Sequence, residues 1–294
     1  MPAPERIPPR GGVNAEQLLA TGELTVVGHI REASNAVLYA TVSHGDESLP
    51  CVYKPTAGER PLWDFPDGTL ARREVAAYAV CRALGWDLVP PTVLREGPYG
   101  AGMCQQWQGP LPDSPEPERT AADGLLALVD GPEPEPGWKA VGLVALDGDE
   151  GDGEPGEPGA ERTALLVHAD DARLRRVAVL DAVINNADRK GGHLLPQPDG
   201  RLYAIDHGVT FHTDDKLRTL LWGWAGEELP GEALTPLRGL AEELAAGAVL
   251  ATRLAELLSA GELDALRKRT ELLLSTGRHP LPGGAWPAIP WPPV

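Results

Sequence analysis

The chain has 294 residues, 42% of them hydrophobic, which is enough apolar material for one large domain or for two lobes that share a cleft. Its 26 basic and 43 acidic side chains give a net charge of −17, and such an acidic chain is repelled by nucleic acid and by anionic membranes. The three cysteines are scattered, and no apolar stretch approaches the ~20 residues needed to cross a bilayer. We therefore expect a cytoplasmic protein with no secretory signal, no nucleic-acid partner and no stable membrane association.

The first part of the sequence predicts an antiparallel sheet with one inserted helix. Asn14 is a candidate N-cap for a short helix over 15–20. Five strands are predicted from alternating or β-branched runs bounded by turn residues, over 23–30, 36–42, 49–54, 89–94 and 102–106. Apolar residues at helical spacing over 70–84 predict a helix after the third strand, with Thr69 as its cap and Gly85 as its stop.

The second part of the sequence predicts mainly helices. Residues 110–118 and 147–159 are rich in proline, glycine and acids, a composition that favours loops, and a short helix is expected over 121–129. Four further helices are expected over 172–185, 214–223, 235–258 and 262–275. The end of the chain is rich in proline and tryptophan and is expected to be extended.

Together these elements predict an α+β protein of two lobes. A short arm with one helix (1–22) precedes a sheet-rich N-lobe (23–109). A helical C-lobe (110–280) contains an acidic Pro/Gly-rich insertion (130–161), and a Pro/Trp-rich tail follows (281–294). A cleft between the two lobes is the expected ligand site.

Two carboxylates flank a hairpin predicted in the C-lobe. Strand-like runs over 192–195 and 201–205 surround a Pro-Asp-Gly turn, with Asp188 just before the first run and Asp206 at the end of the second. A carboxylate after the apolar run LYAI is costly to bury unless a partner or cation neutralises it, which favours Asp206 as a metal ligand. Asp188 follows two asparagines, so it also fits an ordinary turn residue.

The N-lobe contains candidate groups for a phosphate site. The polar segment REASNAVLY offers backbone N–H groups and the Ser34 hydroxyl, with Asn35 beside it. Lys54 ends the third strand and would project into the cleft, where Glu74 of the following helix would pair with it. Taken alone, Lys54 also fits a surface lysine on an edge strand and Glu74 a solvated helix residue. Phosphoryl transfer uses such a set because the lysine neutralises phosphate charge, one carboxylate holds Mg²⁺ and another orients the attacking hydroxyl.

The order of these motifs resembles the protein-kinase-like superfamily, and within it the phosphatidylinositol 3-/4-kinases, especially the type II 4-kinases and their bacterial relatives. The resemblance spans residues 23–260, and its specific motifs are NADRxxxxH and IDHG. It implies a protein-kinase-like fold with ATP and Mg²⁺ or Mn²⁺ as cofactors. It also implies Lys54 on the α/β-phosphates with Glu74 as its partner, Asp188 as the base that positions the hydroxyl, and Asp206 as the main metal ligand.

The same resemblance places Gln105 and Gln106 near adenine, through their backbone groups. One departure is His193, which stands five residues after Asp188 where the family usually has asparagine. An imidazole is a mediocre ligand for Mg²⁺, so the departure implies weak binding of one metal, a preference for Mn²⁺, or help from Asn186. The candidate phosphate loop also lacks the glycines of protein kinases.

The predicted function is ATP-dependent transfer of phosphate to a hydroxyl of a protein or small-molecule acceptor. Lipid is not the preferred acceptor, because the acidic chain has no basic amphipathic helix. Three alternatives stay open: a nucleotide-binding pseudokinase acting as a scaffold or regulator, a nucleotidyltransferase on the same fold, and an interaction module that uses the acidic insertion and the tail. A zinc site of His193, His207 and His212 is disfavoured because their spacing matches no zinc-hydrolase motif.

Overall fold

The computed structural model of the chain describes residues 14–30, 36–65, 70–109, 124–146, 162–283 and 286–291. The predictions for Ser34, Asn35 and Thr69, and for the loops over 110–118 and 147–159, lie outside these residues. The described residues form a sheet-rich N-terminal part and a largely helical C-terminal part. The predicted α+β class with two unlike parts is confirmed.

Five antiparallel strands form the N-terminal sheet in the order β1-β2-β3-β5-β4. They are β1 (Glu23–His29), β2 (Leu38–His44), β3 (Glu47–Pro55), β4 (Thr92–Gly97) and β5 (Gly100–Gln106). Helix α1 (Ala15–Thr21) begins at the predicted cap Asn14, and helix α2 (Leu70–Ala83) is inserted between β3 and β4. Alternate residues of β2 and β3 are buried, which shows that one face of this sheet packs against a hydrophobic core.

A second antiparallel sheet opens the C-terminal part, where the sequence predicts none. Its strands β6 (Leu126–Val129), β7 (Trp138–Leu146) and β8 (Arg162–Ala169) lie in the order β6-β8-β7. The helix predicted over 121–129 is therefore wrong in its described residues, and part of the segment assigned to an acidic insertion is a strand. Short apolar runs suit either a helix or a strand, and pairing with β8 decides between them.

Among its described residues, the C-terminal part has four helices: α3 (Ala172–Ile184), α4 (Gly231–Glu243), α5 (Val249–Ala255) and α6 (Ala260–Thr276). Their buried leucines and valines form one core with the end of α2. The helices predicted over 172–185 and 262–275 are confirmed, but the single helix predicted over 235–258 is two helices. Gly247, in the turn between them, has φ +86°, a left-handed conformation that a continuous helix cannot contain. The helices in the part of the chain that the structure describes are too short or too polar to span a bilayer.

The helix predicted over 214–223 is also wrong, since this segment is an irregular loop that ends in a 3-10 turn, Trp222–Trp224. Two of its N–H groups are bonded to residues distant in the sequence, which leaves them unavailable for helical hydrogen bonds. Lys216 N donates to Asn185 Oδ1 at 3.0 Å, and Arg218 N donates to the Asn186 carbonyl at 2.9 Å.

The predicted hairpin is present in shortened form. Strand β9 (Leu194–Pro196) pairs with β10 (Leu202–Ala204), and a 3-10 turn, Gly191–His193, replaces the start of the first predicted run. Asp188 precedes this unit and Asp206 follows it. Because the strands are antiparallel, the two carboxylates lie at the same open end.

The end of the chain contains no helix or strand in its described residues, 286–291, and lies against the C-terminal part. The Ala288 carbonyl accepts hydrogen bonds from Thr219 N at 3.1 Å and from Trp222 Nε1 at 2.8 Å. Ile289 packs beside the buried Val144 and Leu220. The tail therefore contributes to packing.

Candidate active site

Lys54 lies near the end of β3 and joins the two parts of the molecule. Its Nζ is 2.7 Å from Glu74 Oε1 and 2.9 Å from Asp206 Oδ1. The Glu74 side chain is 2% exposed, whereas that of Asp206 is 47% exposed. One carboxylate is therefore a buried partner of the ammonium, and the other remains accessible to a ligand.

Glu74 is held from two sides by its position in α2. The Glu59 side chain caps the N-terminus of this helix: its carboxylate oxygens accept hydrogen bonds from Leu70 N at 3.1 Å and Ala71 N at 2.8 Å. One turn later, Glu74 contacts Lys54 through Oε1 and accepts the backbone N–H of His207 through Oε2 at 2.9 Å. Glu74 is thus a buried bridge and not the solvated helix residue that its sequence also allows.

Asp206 adopts an unusual backbone conformation, with φ +61°. Such a conformation costs a non-glycine residue roughly 1–3 kcal/mol and persists only where surrounding contacts impose it. One such contact comes from the hairpin, where Ile205 N donates to the His193 carbonyl at 3.0 Å and holds the segment before Asp206 against His193. As a result, His193 Nε2 lies 3.3 Å from Asp206 Oδ2, on the oxygen that Lys54 leaves free.

The charges of this cluster follow from burial and from Lys54. The Lys54 ammonium holds the pKa of Asp206 well below its usual range. Burial alone would lower the pKa of Lys54, but the carboxylates of Asp206 and Glu74 raise it instead. Burial raises the pKa of Glu74, and Lys54 opposes this change. Burial also lowers the pKa of His193. At neutral pH the cluster therefore presents an ammonium, an anionic Asp206 and a neutral imidazole.

A fully buried ion pair, Arg189 with Asp181, packs against the end of the hairpin next to Asp206. Arg189 Nε and NH2 each donate to the Asp181 carboxylate at 2.9 Å, and Arg189 NH1 donates to the Ile205 carbonyl at 2.8 Å. Arg189 NH2 also lies 2.8 Å from His207 Nε2. Both charged side chains are 0% exposed. The pair therefore fixes the residues on either side of Asp206, and sequence reasoning did not identify it. The available signal was Asp181 itself, a carboxylate on an otherwise apolar helix face that needs a buried partner.

Asp188 lies at the edge of the same site. Its N–H donates to Asn186 Oδ1 at 3.0 Å, and its Oδ2 is 3.2 Å from Lys190 Nζ. A cavity of about 220 Å³ is lined by Asp188 together with Lys54, Glu74 and Asp206. Residues between 58 and 62, which follow β3, also line this cavity. Four of the residues predicted from the sequence therefore face one space.

A larger depression, of about 610 Å³, lies behind α2 and is bounded by α1, β4 and α5. Its lining includes Glu16 and Arg253, which are 3.8 Å apart and contact each other. None of the predicted site residues lines it. We therefore place the candidate site in the smaller cavity.

The glutamines predicted near adenine are engaged within the sheet. Gln105 is buried, and its Nε2 donates to Thr92 Oγ1 at 2.8 Å. Gln106 N donates to the Pro91 carbonyl at 2.9 Å. Neither residue lines the 220 Å³ cavity as the described residues define it. Their contact with a nucleotide stays a prediction.

The donors available to a divalent cation are few. In the part of the chain that the structure describes, no three His, Cys, Asp or Glu side chains are placed to hold a metal ion on their own. Asp206 nevertheless offers an anionic carboxylate that faces the cavity, beside the imidazole of His193. Mg²⁺ is commonly held by one or two carboxylates with substrate phosphates and waters completing its shell, and this donor set fits that pattern.

No family model matches the chain. The chain is 49% identical over 277 residues to Protein Rv2133c of Mycobacterium tuberculosis (strain ATCC 25618 / H37Rv), and the match covers 94% of each sequence. The chain belongs to the family of Protein Rv2133c. The name of this relative states no activity, so membership of the Rv2133c family does not by itself assign one.

Two solved structures are similar in outline to this member of the Rv2133c family. A crystal structure of the Golgi casein kinase is 15% identical, with a TM-score of 0.44 over 90% of this chain and 75% of that one. A crystal structure of the Golgi casein kinase with Mn/ADP bound is also 15% identical, with a TM-score of 0.48 over 88% and 73%. Neither similarity is strong enough to assign an activity.

Proposed function

We propose that the chain is an ATP-dependent phosphotransferase, an atypical kinase of the general type of the phosphatidylinositol 3-/4-kinases. The observation that carries the proposal is the position of the Lys54 ammonium between Glu74 and Asp206, at a cavity that Asp188 also lines. Contacts between residues 152 positions apart bring the strand lysine of the N-terminal part to the hairpin of the C-terminal part. Electrostatic positioning of this kind is what phosphoryl transfer requires of a protein.

Each residue has a distinct part in the proposed reaction. Lys54 binds the nucleotide phosphates, and Glu74 holds its side chain extended. Asp206 and, as a weaker donor, His193 would hold a divalent cation, which neutralises phosphate charge when bound. Asp188 orients the acceptor hydroxyl and takes its proton. The acceptor oxygen bonds to the γ-phosphorus of ATP as the bond from that phosphorus to the departing oxygen of ADP breaks.

The acceptor that we propose is a hydroxyl of a protein or of a small molecule. The net charge of −17 disfavours approach to an anionic bilayer, and this supports a non-lipid acceptor. We also propose that the lobes predicted as 23–109 and 110–280 are the units that enclose the nucleotide. On this proposal, the contacts of Lys54 and Glu74 with Asp206 and His207 mark the interface between the lobes.

A second candidate function is nucleotide binding without phosphate transfer, as in a pseudokinase that acts as a scaffold or regulator. The observation that favours it is the His193 imidazole, 3.3 Å from the Asp206 oxygen that a metal would otherwise share with asparagine. The Lys190 ammonium, 3.2 Å from Asp188 Oδ2, also competes for the oxygen that an acceptor hydroxyl would approach. Both contacts reduce the oxygen atoms that are free to receive a metal and an acceptor hydroxyl.

Labelled ATP with Mg²⁺ or Mn²⁺ tests these candidates. We expect transfer of the γ-phosphate to the protein or to an added acceptor mixture, and loss of that transfer in Lys54→Met, Asp188→Asn and Asp206→Asn. Asp199→Asn, an exposed acid at the tip of the same hairpin, is the matched control and should retain activity. Incorporation of the α-phosphate would indicate nucleotidyl transfer. Binding of ATP in calorimetry without turnover would support the second candidate, and absence of both binding and turnover contradicts both candidates.

A further inference from the structure

Arg73 is a buried cation beside the site residue Glu74 on α2, and the reaction proposed above does not use it. Its side chain is 4% exposed, and its NH2 is 2.5 Å from Glu262 Oε1. Its NH1 donates to the Thr210 carbonyl at 2.7 Å, and its guanidinium lies over the Phe65 ring at 4.7 Å. One side chain thus connects α2 to α6, to the segment after Asp206 and to the loop between β3 and α2.

The partners of Arg73 are themselves held in place. Glu262 closes a capping box at the start of α6, where its Oε2 accepts hydrogen bonds from Ser259 N at 2.8 Å and Ser259 Oγ at 2.9 Å. Thr210 Oγ1 donates to the His207 carbonyl at 2.7 Å, which closes the segment that follows Asp206. Arg73 therefore pairs with groups whose positions other contacts fix, and a charge-assisted bond to such groups is stronger than a neutral one.

Arg73 and Glu74 attach α2 to the same segment at two points. Glu74 accepts the N–H of His207, and Arg73 donates to the carbonyl of Thr210. Successive helix residues project about 100° apart, so the two contacts lie on different faces of α2. A rotation of α2 that withdrew Glu74 from Lys54 would have to break both contacts and expose the buried Arg73–Glu262 pair.

We propose that Arg73 is a positioning residue that keeps Glu74 on Lys54, so that the site is assembled without a further activating signal. The proposal rests on the proposed phosphotransferase function for its effect on turnover, but its structural part is independent of nucleotide. Arg73 acts through α2 and touches no reacting atom. If α2 withdrew, Lys54 would lose Glu74 and keep only its contact with Asp206. The ammonium would then be misplaced for the phosphates.

Kinetic measurements with ATP and Mg²⁺ or Mn²⁺ test the effect on turnover. We expect Arg73→Met to lower kcat/KM by about 10²-fold, the size of loss that a small misplacement of a catalytic group produces. Arg73→Lys should recover part of this loss. The control is Arg72→Met, because Arg72 is the neighbouring residue on α2, of the same type, and exposed. If Arg73 acts through Glu74, adding Arg73→Met to Glu74→Gln should change kcat/KM by no more than about twofold.

Hydrogen exchange provides a measurement that needs no nucleotide. Arg73→Met should speed exchange of the His207 amide, whose acceptor is Glu74, and Arg72→Met should leave it unchanged. Glu262→Gln is a second variant for the case that Arg73→Met does not fold, because its side-chain oxygen can still cap α6. If the wild type neither binds nor turns over ATP, the function proposed above fails, and exchange at His207 still decides the positioning role. The positioning role is overturned if Arg73→Met matches Arg72→Met, or if it adds its full kinetic cost in the Glu74→Gln background.

Discussion

Loss of Arg189 should be among the most destabilising single changes in the C-terminal part. Arg189 makes two charged hydrogen bonds to Asp181 and one to the Ile205 carbonyl, and both charged side chains are fully buried. Arg189→Met removes these bonds and leaves the Asp181 carboxylate without a compensating charge. Breaking one side of a buried pair typically costs about 3–5 kcal/mol of the free energy of unfolding. We expect a loss of that size, measured by urea denaturation.

The double variant Arg189→Met with Asp181→Leu separates the charge from the packing. It replaces both ions with apolar side chains, so most of the lost stability should return. Arg201→Met is the matched control, since Arg201 pairs with Asp199 at 2.7 Å on the same hairpin but at an exposed position. It should change the free energy of unfolding little. If Arg189→Met costs no more than Arg201→Met, the buried pair does not hold the hairpin as described.

Three other variants test separate features. Burial lowers the pKa of His279 from 6.5 to about 4, so the unfolded chain binds a proton before the folded chain does, and the free energy of unfolding falls as the pH is lowered from about 6.5 to 4. In urea denaturation, His279→Gln should reduce that fall by up to ~3 kcal/mol. An unchanged dependence of the free energy of unfolding on pH contradicts this. Gly102→Ala places a methyl group 2.5 Å from the Lys54 carbonyl, so it should lower the free energy of unfolding by about 1–3 kcal/mol and weaken ATP binding in calorimetry. Gly28→Ala is the control and should do neither, because a methyl group there meets no atom within 4 Å. Trp286→Ala removes a ring 4.3 Å from Lys216 Nζ and should lower the melting temperature, and no change would show that the tail does not stabilise the fold.

The elements that the sequence determined are those with a long local pattern. The segments that form β1, β2, β3 and β5 are apolar or β-branched runs bounded by turn residues, and helix α2 repeats its apolar residues at helical spacing. Strand β4 was predicted over 89–94 and lies three residues later, at Thr92–Gly97. Lys54, Asp188 and Asp206 were identifiable for a related reason, since each stands at the end of a strand or beside a hairpin. Local periodicity and turn chemistry are sufficient for such features, because they depend on neighbours within a few residues.

The tertiary structure alone decided which side chains meet. Nothing in the spacing of Glu59 or Arg73 indicates that the first caps α2 and the second anchors it to α6. The apolar helix face around Asp181 shows that this carboxylate needs a partner, but not that the partner is Arg189. The strand β6 and the irregular loop over 214–223 were decided in the same way, because backbone groups bonded to distant partners outweigh local helix preference. A buried charge needs an opposite charge at hydrogen-bonding distance, and only the folded chain determines which residue supplies it.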